Sequence, residues 1–370
     1  MIFGGPSPEH DVSVLTGLQA ARELATVAEV AVRGLFWSKS GEWYEVDPGL
    51  EATDFLNGPP KGASRLQLVL GPDGGFLPTD RRLGRGRPRQ LDVALVCCHG
   101  GPGEDGSLQA ALDLAGISYA GPSVAGAALG MDKLAFGAVV ASAGLPTLPR
   151  SLLVAGMTDI GFPGPYIVKP RFGGSSIGIE VVADLETALA LLESSVHLAN
   201  GAVVEPYRPE LFDLQISVRS WPVLQLSAIE RPLRSTGVSS GREPEILGYR
   251  DKYSGGEGMV SAPRELPAHV SVELGGQIRN AASGLASLSA LRGVARIDFL
   301  SDGSELWVNE LNTIPGSLAR YLWIDPPVSF KELLADLLAE ARSRPSRPML
   351  SSGADGSILQ GASSIAAKLA

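Results

Sequence analysis

Along this chain, apolar positions recur with two spacings, and the switches between them mark the predicted elements. "IFGG" (2–5) reads as a very short strand entering a glycine turn. "DVSVLTGLQAARELA" (11–25) follows at helical spacing, with Asp11 as its N-cap. "LDVALVCCHG" (91–100) is almost continuously apolar, as a parallel strand covered on both faces would be. The glycine loop "GGPGEDG" comes next, and then a helix from Ser107 to about Ala115. Strands alternating with helices predict a doubly wound α/β domain, whose ligands collect beyond the carboxyl ends of the strands. The loops after Phe3 and after Cys98 are thereby expected to face one crevice.

A helix-rich stretch (123–145) opens a second unit, in which "PYIVKP" and "IGIEVV" flank the loop "RFGGSS" like hairpin arms. A helix (184–195) and the strand "GAVVEPY" (201–207) complete it. A third unit holds the strands "FDLQISV" and "VLQLSAIER", a long polar loop (232–264), a helix (271–291), the strands "VARIDFL" and "ELWVNELN", and a final helix near 330–343. The loop is rich in Gly, Ser and Arg and long for a compact domain, which predicts a lid or a disordered segment. The tail after 344 has only weak patterning.

Alternation on the late strands gives the sharpest chemical expectation. Arg296 and Asp298 share one strand face, and Glu310 and Asn312 share one face of the next strand. Paired as a hairpin across "SDGSE", these side chains converge. Two carboxylates and an amide suit Mg²⁺, which takes one or two carboxylates plus substrate phosphates, and an arginine beside them can stabilise developing charge. The bland alternative is the solvated outer face of an antiparallel sheet. It weakens because the segment runs on into the tight turn "NTIPG". Lys169 ends an apolar strand against the glycine loop, an arrangement that a phosphate cradle needs. Lys133 in "MDKL" is a second candidate cation. No Walker A motif is present, and "GRGRPR" (84–89) fails as a dinucleotide fingerprint.

Composition narrows the partners. Forty acidic against 31 basic residues give a net charge of −9, which disfavours a nucleic-acid partner. Two adjacent cysteines, Cys97 and Cys98, make a poor disulfide pair and read as small apolar side chains ending a buried strand. No signal peptide and no apolar run of membrane-spanning length is apparent, so a cytoplasmic protein without a membrane partner is the expectation. Gly174–Gly178 also satisfies G-x-S-x-G, the elbow of a serine hydrolase with Ser176 as nucleophile, "HGGPG" (99–103) as oxyanion loop and His269 as base. Against this, Lys169–Phe172 separate the strand from the motif, a strand and not a helix follows it, and the acid set would have no work.

Taken together the motifs resemble one family, the D-alanine–D-alanine ligases of the ATP-grasp superfamily. The matching stretches are "FGGPSPEHDVS" (3–13), "HGGPGEDGSLQAALDLAGISYAGPSV" (99–124), "MDKLAF" (131–136), "YIVKPRFGGSSIG" (166–178), "VVEPY" (203–207), "GYRDKY" (248–253), "ARIDF" (295–299) and "NELNTIPGS" (309–317). The resemblance implies an ATP-grasp fold of three α/β domains, with an N-terminal substrate domain (1–122), a central ATP-binding domain (123–208), a catalytic domain (209–343) and a tail of unknown role (344–370). It implies that ATP phosphorylates a first amino acid, most simply D-alanine, and that a second amine attacks the acyl phosphate. Lys133 and Lys169 would hold phosphates under loop 172–177, including Ser176. Glu205 would bind the ribose and the main chain near Val204 the adenine, and Lys252 would reach the γ-phosphate. Asp298, Glu310 and Asn312 would bind two Mg²⁺, with Mn²⁺ as a substitute. Arg296 and Gly316 would stabilise the oxyanion, Glu9 would anchor the first amino group, Ser175 and Tyr253 would link two loops, and His99 would sit beside the substrates. Such enzymes are commonly homodimers.

The chain also departs from the family pattern. Its first strand is unusually short. Asp213 stands, one residue shifted, where a glutamate is usual. Tyr321, flanked by Arg320, takes the place of the serine that grips the second substrate. A ligase with another second substrate, in secondary metabolism, is the alternative implied.

Overall fold

The computed structural model describes residues 1–71, 73–79, 87–233, 263–344, 353, 357–360 and 365. Its first unit comprises β1 (Ile2–Gly4), α1 (His10–Ala25), β2 (Gly34–Trp37), β3 (Trp43–Val46), β4 (Ser64–Val69), β5 (Gly75–Pro78), β6 (Ala94–Leu95), α2 (Ser107–Leu114) and β7 (Tyr119–Ala120). β1 runs parallel to β2 on one side and bridges Val96 in parallel through Ile2 on the other, and β6 is parallel to β7. An antiparallel meander, β2 to β5, extends this parallel core. The apolar run 91–100 is buried as expected but supplies only two ladder residues. Its chain leaves the sheet once the Cys97 amide has bonded the Ile2 carbonyl at 2.8 Å, and it turns at Gly100, where φ is +64°. Cys97 and Cys98 are buried and unbridged, and burial pushes the Cys97 thiol up to about 12, so both behave as apolar fillers.

One helix boundary differs from the sequence expectation. α1 starts at His10, so Asp11 lies in its first turn and pairs with Lys39 at 3.0 Å instead of capping. The N-cap residue is Glu9, whose carboxylate makes no cap hydrogen bond because it faces the Ser175 hydroxyl. The stretch 123–145 divides into α3 (Val124–Met131) and α4 (Lys133–Ser142). Asp132 causes the break: its backbone is extended, and its side chain accepts from the amides of Leu134 and Ala135, capping α4. Lys133 is thereby fixed at the first position of a helix.

The second unit is a four-stranded sheet of β8 (Ser151–Leu153), β9 (Tyr166–Pro170), β10 (Glu180–Val182) and β11 (Ala202–Pro206), with α5 (Leu185–Ser194) packed on it. β9 and β10 form the predicted hairpin around the glycine loop. The third unit contains β12 (Phe212–Arg219), β13 (Gln225–Pro232), β14 (Arg264–Glu265), α6 (Val272–Leu288), β15 (Val294–Ser301) and β16 (Leu306–Asn312), in sheet order β14-β13-β12-β15-β16. Its inward residues (Leu214, Ile216, Ile297, Phe299) pack against Leu274, Ile278 and Leu285 of α6. The last helix, α7 (Phe330–Ser343), buries Leu333, Leu334 and Leu337 in the apolar core of the first unit, so the chain returns to where it began. The lid expectation for the long polar loop falls on residues 234–262, outside the described residues.

Candidate active site

The predicted late hairpin is present. Arg296 lies opposite Asn312 and Asp298 opposite Glu310, with a bulge after Asp298 that turns the pair toward the strand ends. Arg296 grips Asp298 through Nε at 2.7 Å and its terminal nitrogen at 2.8 Å, and the Asn312 amide nitrogen donates to Asp298 at 3.1 Å. Burial lowers the Arg296 pKa, but the Asp298 charge outweighs it and holds the guanidinium well above its ordinary value. Arg296 and Asp298 are buried, and Glu310 and Asn312 are half-buried and line the cavities, so the set is not a solvated outer face.

Two cavities meet at this hairpin. The larger lies between the second and third units and is lined by Lys133, Lys169, Glu205, Pro206, Tyr207, Arg208, Asp213, Gln215, Asp298, Glu310 and the glycine loop including Ser176. The smaller is lined by Glu9, His99, Glu104, Lys133, Ser175, Arg296, Glu310, Asn312 and Gly316. Lys133, Gly173, Gly174 and Glu310 line both.

The larger cavity sets Lys133, Lys169 and Arg208 among four carboxylates, and its lysines are spoken for. Lys169 donates to Glu205 at 2.7 Å, Arg150 grips the other Glu205 oxygen, and the Lys133 ammonium donates to the Gly173 carbonyl. Burial pushes the Glu205 carboxyl up, but Lys169 and Arg150 together outweigh it, so it stays ionised. Burial lowers the Lys133 pKa, against the raising effect of nearby Glu310. Ser175 and Ser176 hold left-handed backbones (φ +53° and +58°) in the loop above. Val204 is not among the lining residues. β11 is paired on both sides, with β9 and with β8, so its buried centre is closed off and the lining passes to residues 205–208.

In the smaller cavity, Glu9 accepts from the Ser175 hydroxyl, and Gly174 abuts the same carboxylate. Glu104 accepts from the amides of Gly100 at 2.9 Å and Ile314 at 2.8 Å. Burial and then the Glu9 charge push its pKa up to about 7, against those hydrogen bonds. Burial pulls His99 down to about 4. Tyr321, expected at the second substrate, lines neither cavity. Its ring lies under the Arg264 guanidinium at 4.6 Å, and its hydroxyl bonds Glu230, placing it behind the Arg296–Asp298 pair. Lys252 and Tyr253 lie outside the described residues.

The hydrolase alternative lacks its geometry. β9 ends at Pro170, Ser176 follows a non-strand loop, the next element is strand β10, and the His269 side chain is 94% exposed. Three site residues had no visible sequence signal. Arg150 bonds Glu205 and the carbonyls of Lys133 and Asn309, partners up to 159 residues away. Glu104, in the glycine loop, and Glu230, on β13, were not singled out by any local pattern.

Among the described residues no group of three or more His, Cys, Asp and Glu side chains is placed to hold a metal. Asp298, Glu310 and the Asn312 carbonyl are nevertheless hard oxygen donors in one place, a set that fits Mg²⁺ when phosphate oxygens complete the shell. Residues 1–122 match the family described as D-ala D-ala ligase N-terminus, and 128–339 the D-ala D-ala ligase C-terminus. A D-alanine–D-alanine ligase from a Synechococcus species is 31% identical, over 92% of this chain and 97% of its own. Among solved structures, D-alanine-D-alanine ligase from Helicobacter pylori superposes with a TM-score of 0.70 at 25% identity, covering 92% of this chain and 98% of that one. The VanG D-Ala:D-Ser ligase from Enterococcus faecalis does so with a TM-score of 0.73 at 25% identity, covering 92% and 98%.

Proposed function

This chain belongs to the D-alanine–D-alanine ligase family, and on that premise we propose that it joins two D-alanine molecules into the dipeptide used in peptidoglycan synthesis. It is an ATP-dependent ligase with small-molecule substrates. The observation that carries the reading is the pair of cavities sharing Lys133, Gly173, Gly174 and Glu310. A nucleotide in the larger cavity and an amino acid in the smaller one would meet at those four residues.

In this reading Lys133 and Lys169 take the phosphates, with Asp213 at the sugar side and loop 172–177 above. Asp298, Glu310 and Asn312 would hold one or two Mg²⁺ ions, which when bound neutralise charge on the phosphate oxygens. Glu9 takes the ammonium of the first D-alanine. The carboxylate of that D-alanine attacks the γ-phosphorus and ADP leaves; the amine of the second substrate, after giving up a proton, attacks the carbonyl carbon of the acyl phosphate, and inorganic phosphate leaves. Arg296 and the Gly316 amide face the oxyanion of the tetrahedral intermediate. Lys252 and Tyr253 would complete the site from the long polar loop. We place the protein in the cytoplasm as a homodimer, with domain boundaries near 122, 208 and 343; among the described residues no helix is long and apolar enough to cross a membrane.

An ATP-consumption screen over D- and L-amino acid pairs, with products identified by mass, tests this. D-alanine alone is expected to release ADP and yield D-alanyl-D-alanine, and ADP release with no pair would overturn it. The position of Tyr321 behind Arg296 favours one variation, a different second substrate, as the D-Ala:D-Ser relative illustrates. Because Tyr321 acts only through its neighbours Arg264, Glu230 and Arg296, Tyr321→Ser is expected to change second-substrate preference by less than the roughly tenfold of a lost direct contact, with the KM for ATP unmoved. A shift confined to ATP would refute that role.

A further inference from the structure

The turn after β16 needs outside support. Ser317, Leu318 and Ala319 all have φ of +51°, and left-handed residues with a Cβ cost about 1–2 kcal/mol each. This is the turn that follows Gly316, and the first unit of the chain holds it. The Ser317 amide donates to Thr16 Oγ1 at 3.1 Å, and Thr16 bonds His99 Nε2 at 2.8 Å. His99 Nδ1 bonds the Ile314 carbonyl at 2.7 Å, while the Ile314 amide donates to Glu104 at 2.8 Å. One residue is thus held at its carbonyl by an imidazole and at its amide by a carboxylate, which fixes two successive peptide units.

The direction of these bonds follows from chemistry. A carbonyl only accepts, so His99 Nδ1 carries hydrogen. In the neutral ring Nε2 then accepts, and the Thr16 hydroxyl donates to it while its lone pair receives the Ser317 amide. His99 itself is anchored at both main-chain groups, its amide to Ser13 at 2.8 Å and its carbonyl from the Ser7 hydroxyl at 2.6 Å. Both ring nitrogens are committed to protein, so His99 has no hydrogen bond left for a substrate. Glu104 is likewise committed, to Gly100 and Ile314, with the Thr313 hydroxyl at 3.3 Å.

We infer that His99, Glu104 and Thr16 are positioning residues that clamp the Ile314 peptide and the turn beyond it, fixing the Gly316 amide for the acyl-transfer step. This rests on the reading of Gly316 and Arg296 as oxyanion donors. The clamp serves the second half of the reaction, where the tetrahedral oxyanion forms, and not phosphoryl transfer, whose groups lie on α4, β9, the glycine loop, β15 and β16. It also ties the first unit, which holds the amino acid through Glu9, to the strand that presents the acid pair.

The two half-reactions separate the clamp from a general structural role. In the full-length enzyme, Thr16→Val and Glu104→Gln are expected to slow dipeptide formation about tenfold or more, the scale of losing one oxyanion donor. With a non-condensing carboxylate analogue of the first substrate, exchange of ¹⁸O between the bridging and non-bridging positions of ATP, which reports acyl-phosphate formation alone, is expected to stay within about twofold, and Thr16→Ser, which keeps the hydroxyl, to restore dipeptide formation. Parallel loss of both half-reactions, or loss of the folded state in both variants, overturns the positioning role in favour of a plain structural brace. Unchanged dipeptide formation in active enzyme overturns the clamp alone. Wild-type protein inert toward every amino acid pair overturns the functional reading and this inference with it.

Discussion

The two cavities mix cations and carboxylates alike and differ in readiness. On the nucleotide side, Lys169 and Arg150 share one buried carboxylate, Glu205, and the Lys133 ammonium rests on a main-chain carbonyl. In the proposed reading Lys169 turns toward a phosphate with the ammonium hydrogens that Glu205 does not take, and Arg150 keeps that carboxylate compensated. On the amino-acid side, Glu104, His99 and Thr16 are bound to main-chain groups and already in place. A site can therefore share its binding cations with a buried partner while its scaffold stays fixed. The cost of that sharing falls on nucleotide binding, and the geometry of acyl transfer is untouched.

The comparison breaks most severely at the group both cavities share. Glu310→Gln is expected to lower ADP formation about 10³-fold, the upper scale for one transition-state charge contact, with an unchanged circular-dichroism spectrum; undiminished turnover would sink the metal assignment. A smaller effect sharpens the nucleotide side. Arg150→Met leaves Lys169 as the sole counter-ion of Glu205 and so holds it back from phosphate. The KM for ATP should rise about tenfold, or 1.4 kcal/mol, with the amino-acid KM unmoved, and Glu205→Gln in the same background should recover part of the loss. Equal shifts in both KM values would erase the asymmetry.

The smallest effect reads the preformed side through pH. His99 titrates at about 4 in the folded chain and near 6.5 when unfolded, so the unfolded state binds more protons between those values. Its contribution is complete above pH 6.5 and is lost as pH falls toward 4, up to about 3 kcal/mol. Glu104 runs the other way: with its pKa raised to about 7, its contribution is present below about 4.5 and lost as pH rises through 7. Denaturant midpoints between pH 7 and 4.5 should fall more for wild type than for His99→Gln, and equal slopes would show that His99 is solvated.

Much of this site was legible in the order of residues. Alternation put Arg296 with Asp298 and Glu310 with Asn312, and the hairpin follows that register. Lys169 at the end of an apolar strand, and the glycine loop between two strands, were likewise readable, because each is a local pattern imposed by a strand's two-residue period. What failed locally failed through a competing contact. Asp11 lost its cap because Glu9 precedes it, facing Ser175, while the helix-rich stretch 123–145 is present as two helices, parted where Asp132 caps α4 and pairs with Arg171.

By itself, then, the sequence determined which side chains share a strand face, which loops carry glycine, and the family to which such a string of motifs belongs. Only the tertiary structure decided that Arg150 and Lys169 divide Glu205, that His99 faces main-chain and Thr16 partners and not a substrate, and that Tyr321, expected at the second substrate, packs on Arg264 and lines neither cavity. Those contacts join residues far apart in the chain, where no periodicity reaches. Their partners are chosen by how three sheets pack and by the need of each buried charge or amide to find an opposite.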